Sequence, residues 1–143
     1  MLSPAPAMVF AALDVGDARI GVAVSDDLGM LVRGVGVVER RGGIGDLEAI
    51  ARLLRSHGVD RLVIGLPLDM HGGEGRQAER VRAFGERVRL HTGLDVVYWD
   101  ERLSSFEAED RLRRTGLTAK RRRRLVDQVA AEVILRSYLD GRP

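Results

Sequence analysis

The stretch from Phe10 to Asp26, FAALDVGDARIGVAVSD, restricts the fold of this chain more than any other. It continues an apolar run that starts at Met8, as expected of a strand covered on both faces. Yet it places a carboxylate, Asp14, directly behind Leu13. Gly16–Arg19 reads as a turn. Ile20–Ser25 then runs back, with Ile20, Val22 and Val24 alternating against Gly21, Ala23 and Ser25, and the pair reads as a hairpin.

Leu31–Glu39 follows as a third strand. After RRGGIG the period lengthens: Leu47, Ile50, Ala51 and Leu54 fall at helical spacing, and His57-Gly58 ends that helix. Arg61–Leu66 is a short buried strand stopped by Pro67, and DMHGGEG is a glycine-rich loop. A helix carrying Ala78, Val81, Phe84 and Val88 stops near Gly93, and Asp95–Glu101 is a fifth strand. Ser104 and Glu107 have capping-box spacing, so a helix begins there and closes at Gly116. The last helix runs from about Ala119 to Leu139. The order of elements predicts an α/β layer protein opened by a hairpin.

A chain of 143 residues, 45% of them hydrophobic, supports one core. We read a single domain over 8–140 behind a flexible tail at 1–7. The tail lacks the basic and apolar regions of a signal peptide, and the longest apolar run is too short to span a bilayer. With no cysteine there is neither a disulfide framework nor a thiolate metal site. The expectation is a cytoplasmic protein with no membrane partner.

In open α/β sheets, chemistry gathers beyond the carboxyl ends of the parallel strands. Asp14 ends the first strand, and Asp100 and Glu101 end the fifth. Asp127 lies near the start of the last helix, with Ala130, Ala131 and Ile134 at helical spacing, so it projects from a mainly apolar face. Those small alanines let the helix approach the sheet. Singly, each acid has an ordinary explanation: a turn acceptor for Asp14, a partner in Arg102 for Glu101, the preceding arginines for Asp127. Jointly, three carboxylates on apolar elements repel one another unless a cation sits between them. Mg²⁺ or Mn²⁺ suits such an oxygen cluster, and two such ions suit in-line phosphodiester displacement. Strand alternation puts Asp100 on the opposite face from Glu101.

The basic residues are skewed: Lys120 is the only lysine among 23, the rest being arginine, which pairs bidentately with phosphate. Lys120, Arg121, Arg122, Arg123 and Arg124 form a block suited to a phosphate-tracking surface, or else a solvated helix face. Arg19 and Arg76 are further candidate phosphate contacts. Gly16 and the GGEG loop before a helix offer backbone amides to a phosphate.

Four stretches in order, LDVGDARIGVAVSD, VIGLPLDMHGGEGRQAERVRAF, DERLSS and VDQVAAEVILRSYL, resemble the motifs of the YqgF/RuvX family, across about Met8 to Asp140. The resemblance implies an RNase H-like fold: a five-stranded mixed sheet with its second strand antiparallel, flanked by helices. It implies a divalent-metal nuclease whose acids match Asp14, Glu101 and Asp127. It also implies two substrates, the 5′ end of pre-16S ribosomal RNA and the four-way DNA junction, the second of which calls for a homodimer with two sites. Two departures stand out. The family's loop commonly reads NMDG where this chain has Asp69-Met70-His71-Gly72. A lysine-glycine pair common before VD is replaced here by arginines, which keep the positive charge.

Two other classes compete. An ATPase of the actin and hexokinase type shares the strand–D-x-G–strand opening but uses two lobes, and this chain has length for one. A non-catalytic nucleic-acid-binding module would use the arginine block, yet 4% aromatic content leaves few stacking platforms.

Overall fold

The hairpin closes as its alternation requires. In the computed structural model, which describes residues 7–101 and 104–142, β1 (Phe10–Val15) pairs antiparallel with β2 (Arg19–Ser25), with Asp14 opposite Gly21. β2 pairs antiparallel with β3 (Val32–Glu39), with a register shift between Val22 and Ala23. After α1 (Ile44–Ser56), β4 (Arg61–Leu66) joins β1 in parallel. After α2 (Arg76–Thr92), β5 (Asp95–Asp100) joins β4, also in parallel. The sheet order is therefore β3-β2-β1-β4-β5. α3 (Ser104–Arg113) and α4 (Ala119–Gly141) complete the chain.

Alternation sorts the strand residues onto two unlike faces. Ala11, Leu13, Val15, Ile20, Val22, Val24, Leu62, Ile64 and Leu66 pack under α1 and α2, against Leu47, Ile50, Leu54, Val81, Phe84 and Val88. On the other face Phe10, Ala12, Ala23 and Val63 meet Ala131, Ile134, Leu135 and Leu139 of α4. The first face is built of large aliphatics. The second sets small residues, Ala12 and Ala23 on the strands and Ala131 on the helix, among its larger ones, so α4 lies close.

Polar contacts pin α4 across the sheet. Glu132 Oε1 accepts the backbone N–H of Gly34 at 2.8 Å. Arg136 donates to the carbonyl of Met30 at 2.8 Å, and Trp99 Nε1 donates to Ser137 Oγ at 3.0 Å. Thr118 caps α4, its hydroxyl accepting the N–H of Arg121. Asp46, buried in the first turn of α1, accepts the N–H groups of Arg41 and Gly42, both at 3.0 Å, and so fixes the β3–α1 loop.

The elements match those expected from the sequence, with shifts at their ends. β1 begins at Phe10 rather than Met8, β5 ends at Asp100 so that Glu101 lies just beyond it, and α3 stops at Arg113. α3 does begin at Ser104, but the side chains of Ser104 and Ser105, and the expected Arg102 partner of Glu101, lie outside the described residues. So does the tail, apart from Ala7. Among the described residues no helix is long and apolar enough to cross a membrane.

Candidate active site

Asp14 shares a face with Phe10 and Ala12, so it points toward α4 rather than toward the aliphatic core. Two glycines flank it in the sheet. Gly21 is its direct partner on β2, and the parallel register that pairs Leu13 with Ile64 sets Gly65 beside it on β4. Each glycine leaves room for another acid. A Cβ on Gly21 would collide with the backbone of Asp127, and one on Gly65 would lie 2.8 Å from Cγ of Glu101. Asp127 is thus seated over one neighbour of Asp14, and Glu101 over the other. A glycine inside a strand otherwise costs stability; here it lets a second element approach.

Asp14 is 7% exposed. Its pKa is pushed up to about 8, first by burial and then by the charges of Glu101 and Asp127. Among the described residues no donor hydrogen-bonds to its carboxylate. A buried acid with no donor and two acidic neighbours lacks a compensating charge.

Asp127 does have one. Arg19 Nε donates to its Oδ2 at 2.9 Å, and this bond holds the Arg19 guanidinium above its usual pKa. Arg19, expected to contact phosphate, is thus paired with one of the candidate acids. Among the described residues no three His, Cys, Asp or Glu side chains are gathered tightly enough to cage an ion as they stand. Glu101 and Asp127 are close enough to raise the pKa of Asp14, and Asp127 is turned toward Arg19.

Asp100 sits at the end of β5, in register with Leu66, on the face away from Glu101 as alternation requires. The amide of Gly16 is taken by the carbonyl of Arg19 at 2.9 Å, so it closes the turn instead of facing a phosphate. The DMHGGEG loop is a built structure: Asp69 Oδ1 accepts the N–H groups of His71 and Gly73, each at 2.8 Å, and Glu74 grips Arg82 through two bonds. Arg76 is exposed at the first position of α2.

Lys120, Arg121, Arg123 and Arg124 are exposed along the first turns of α4, while Arg122 is half-buried and donates to the carbonyl of Leu117. Positive charge at a helix N-terminus opposes the helix dipole. The block is therefore not there to stabilise α4. It stands on the helix that carries Asp127, with Lys120 about 10 Å from that acid along the axis.

Sequence reasoning missed Gly21 and Gly65. The available signal was a lone glycine inside a β-branched strand, in RIGVAV and LVIGL, which marks close approach of a neighbouring element.

A five-stranded mixed sheet of this order, flanked by helices, is the RNase H-like fold, here that of a hydrolytic nuclease. Two solved structures share the fold: RuvC of Thermus thermophilus with a Holliday junction (TM-score 0.54, 16% identity, 93% of this chain and 95% of that one) and the fowlpox virus resolvase with Holliday junction DNA (0.59, 12%, 94% and 98%). The chain belongs to the RuvX family, described as Holliday junction resolvases, whose sequence model matches residues 8–141. It is 48% identical over 135 residues to a candidate pre-16S rRNA nuclease of Anaeromyxobacter sp., covering 94% of this chain and 98% of the relative. A protein of the same description from Symbiobacterium thermophilum is 46% identical over 130 residues, covering 91% and 90%.

Proposed function

We propose that this nuclease is a divalent-metal-dependent endonuclease of structured nucleic acid, and that its main task is maturation of the 5′ end of pre-16S ribosomal RNA in the cytoplasm. The observation that carries the metal reading is Asp14: buried, without a hydrogen-bond donor among the described residues, and pressed by Glu101 and Asp127. An all-oxygen donor set of this kind fits Mg²⁺ or Mn²⁺, and in-line phosphodiester displacement suits two such ions. The rRNA assignment is supported by the names of relatives at 46–48% identity. Cleavage of four-way junctions by a homodimer is the second reading, supported by the family description.

A divalent cation held by Asp14, Glu101 and Asp127 supplies the positive charge that the attacking and leaving oxygens of a phosphodiester require. The chain's own residues do the rest. β1 holds Asp14 rigidly, because both neighbouring strands are hydrogen-bonded to it. Arg19 orients Asp127. Without a compensating charge Asp14 keeps its proton near neutrality, so loading the site releases that proton. The α4 block draws the phosphate backbone toward the acids.

The test incubates the protein with a 16S precursor fragment and with a four-way junction, in Mg²⁺, Mn²⁺ or EDTA. Cleavage of at least one substrate is expected with metal and none with EDTA. Asp14→Asn and Asp127→Asn should each lower the rate by at least about a thousandfold while remaining folded. Normal cutting by either variant, or by the parent in EDTA, would remove the proposed site. Sedimentation of the protein alone and on the junction separates monomeric RNA processing from dimeric resolution.

A further inference from the structure

We propose that a cleft on the α1/α2 side of the sheet is a second phosphodiester-binding site, holding a flank of the substrate while the carboxylates act on the scissile bond. The inference rests on the endonuclease reading for the polymer's identity. The cleft, about 500 Å³, is lined by Val15, Arg40, Gln77, Arg80, Phe84 and Arg87 among others. Val15 is the residue after Asp14 and points to the opposite face. The end of β1 therefore carries the acids on one side and this cleft on the other.

The arginines of α2 fall into two groups. Arg82 is bonded to Glu74 at 2.6 and 2.8 Å, and Arg89 is paired with Glu86. Arg80 and Arg87, which line the cleft, pair with no carboxylate among the described residues. The sequence explains the difference. Three and four residues to either side of Arg80 stand Arg76, Gln77, Ala83 and Phe84; around Arg87 stand Ala83, Phe84, Leu90 and His91. Neither has an acid within helical reach. A helix that neutralises one arginine flank and leaves the other bare presents the bare flank to an anion. Arg80 and Arg87 are two turns apart, about 10 Å, close to the axial rise of three nucleotides in one strand. The carboxylate on the cleft lining is Asp17, exposed at its lip.

Arg40 joins the cleft to the catalytic side. Its guanidinium lies 4.6 Å over the Phe84 ring, and its Nη1 donates to the carbonyl of Gly16 at 2.9 Å. The same turn supplies Arg19 to Asp127. A backbone gripped by the cleft and by the α4 block, which belong to opposite layers, passes over the carboxyl end of β1, where the acids lie.

The test compares Arg80→Gln/Arg87→Gln with Arg82→Gln/Arg89→Gln, which removes equal charge from the paired flank. Binding of the precursor fragment and of the junction is titrated at several salt concentrations, with Asp14→Asn present in every protein to prevent cutting. The cleft variant should bind about tenfold more weakly, and its salt slope should fall by roughly 1.4 to 1.8, the loss of two phosphate contacts. In the uncombined enzyme KM should rise with kcat little changed. AMP, a phosphate without a backbone, should not compete at millimolar concentration. Equal effects of the two double variants, no change in slope, or competition by AMP would overturn the proposal. Because binding is read without cleavage, failure of the metal-site reading leaves this result interpretable on its own.

Discussion

The two faces of the sheet follow opposite rules. Under α1 and α2 the strands present Leu13, Val15, Ile20, Val22, Ile64 and Leu66, which maximise apolar burial. Under α4, the same strands present Ala12, Asp14, Gly21, Ala23, Val63 and Gly65. The first face supplies stability. The second forgoes side-chain volume so that α4 can sit close enough to put Asp127 over Gly21, next to a buried acid that finds no donor among the described residues. The asymmetry marks the α4 face as the one where packing volume gives way to candidate site residues.

Gly21→Ala should break this arrangement most severely. Its added methyl meets the backbone of Asp127, which cannot move without shifting α4. Overpacking against backbone at this site should cost at least about 3 kcal/mol. Displacing Asp127 by about 1 Å should lower cleavage by about a hundredfold. Urea denaturation and the cleavage assay measure the two effects separately. A variant as stable and active as the parent would mean that α4 is not seated on Gly21.

Much of this was legible in the sequence, because both periodicities were strong. Ile20, Val22 and Val24 announced β2, and Leu47, Ile50 and Leu54 announced α1. The acids Asp14, Glu101 and Asp127 could be singled out because charged groups on apolar elements need an explanation. What stayed hidden depended on contacts distant in sequence. The pairing of Arg19 with Asp127 spans 108 residues, and no local pattern distinguishes it from a phosphate contact. Gly21 resembled any small residue of an alternating strand until the helix above it was in place. Nothing local set Arg80 and Arg87 apart from Arg82 and Arg89; the missing acids at helical spacing acquire meaning only beside the cleft that Arg40 and Phe84 complete.

The second prediction concerns the charge on the α4 face. Asp14 has an ordinary pKa of 3.8 in the unfolded chain and about 8 in the folded one. Between those values the folded state holds a proton that the unfolded state has lost. Stability in the absence of metal should therefore fall as pH rises from about 4 to about 8, and this contribution should be flat above. Asp14→Asn removes the effect, so the difference between parent and variant melting temperatures should widen across that window in EDTA, reaching several degrees. Mn²⁺ should narrow it at pH 8 by stabilising the parent. Parallel melting curves for the two proteins would show that Asp14 has another source of compensation.

The smallest effect should come from Gly36→Ala, which tests whether glycine in this sheet matters by position or merely by type. Gly36 lies on β3, paired with Val22, and its backbone has ordinary strand angles. A Cβ there would meet Leu53 Cδ2 of α1 at 3.6 Å, an ordinary contact with the end of a flexible side chain. The methyl fills space instead of displacing backbone, and it also reduces the freedom of the unfolded chain. The change in stability should stay within about 0.5 kcal/mol, with cleavage untouched. If Gly36→Ala proved as damaging as Gly21→Ala, the cost would reflect a general intolerance of the sheet, and the contrast between its faces would lose its functional meaning. If only Gly21→Ala is damaging, the demand for glycine is local to the acid that α4 delivers.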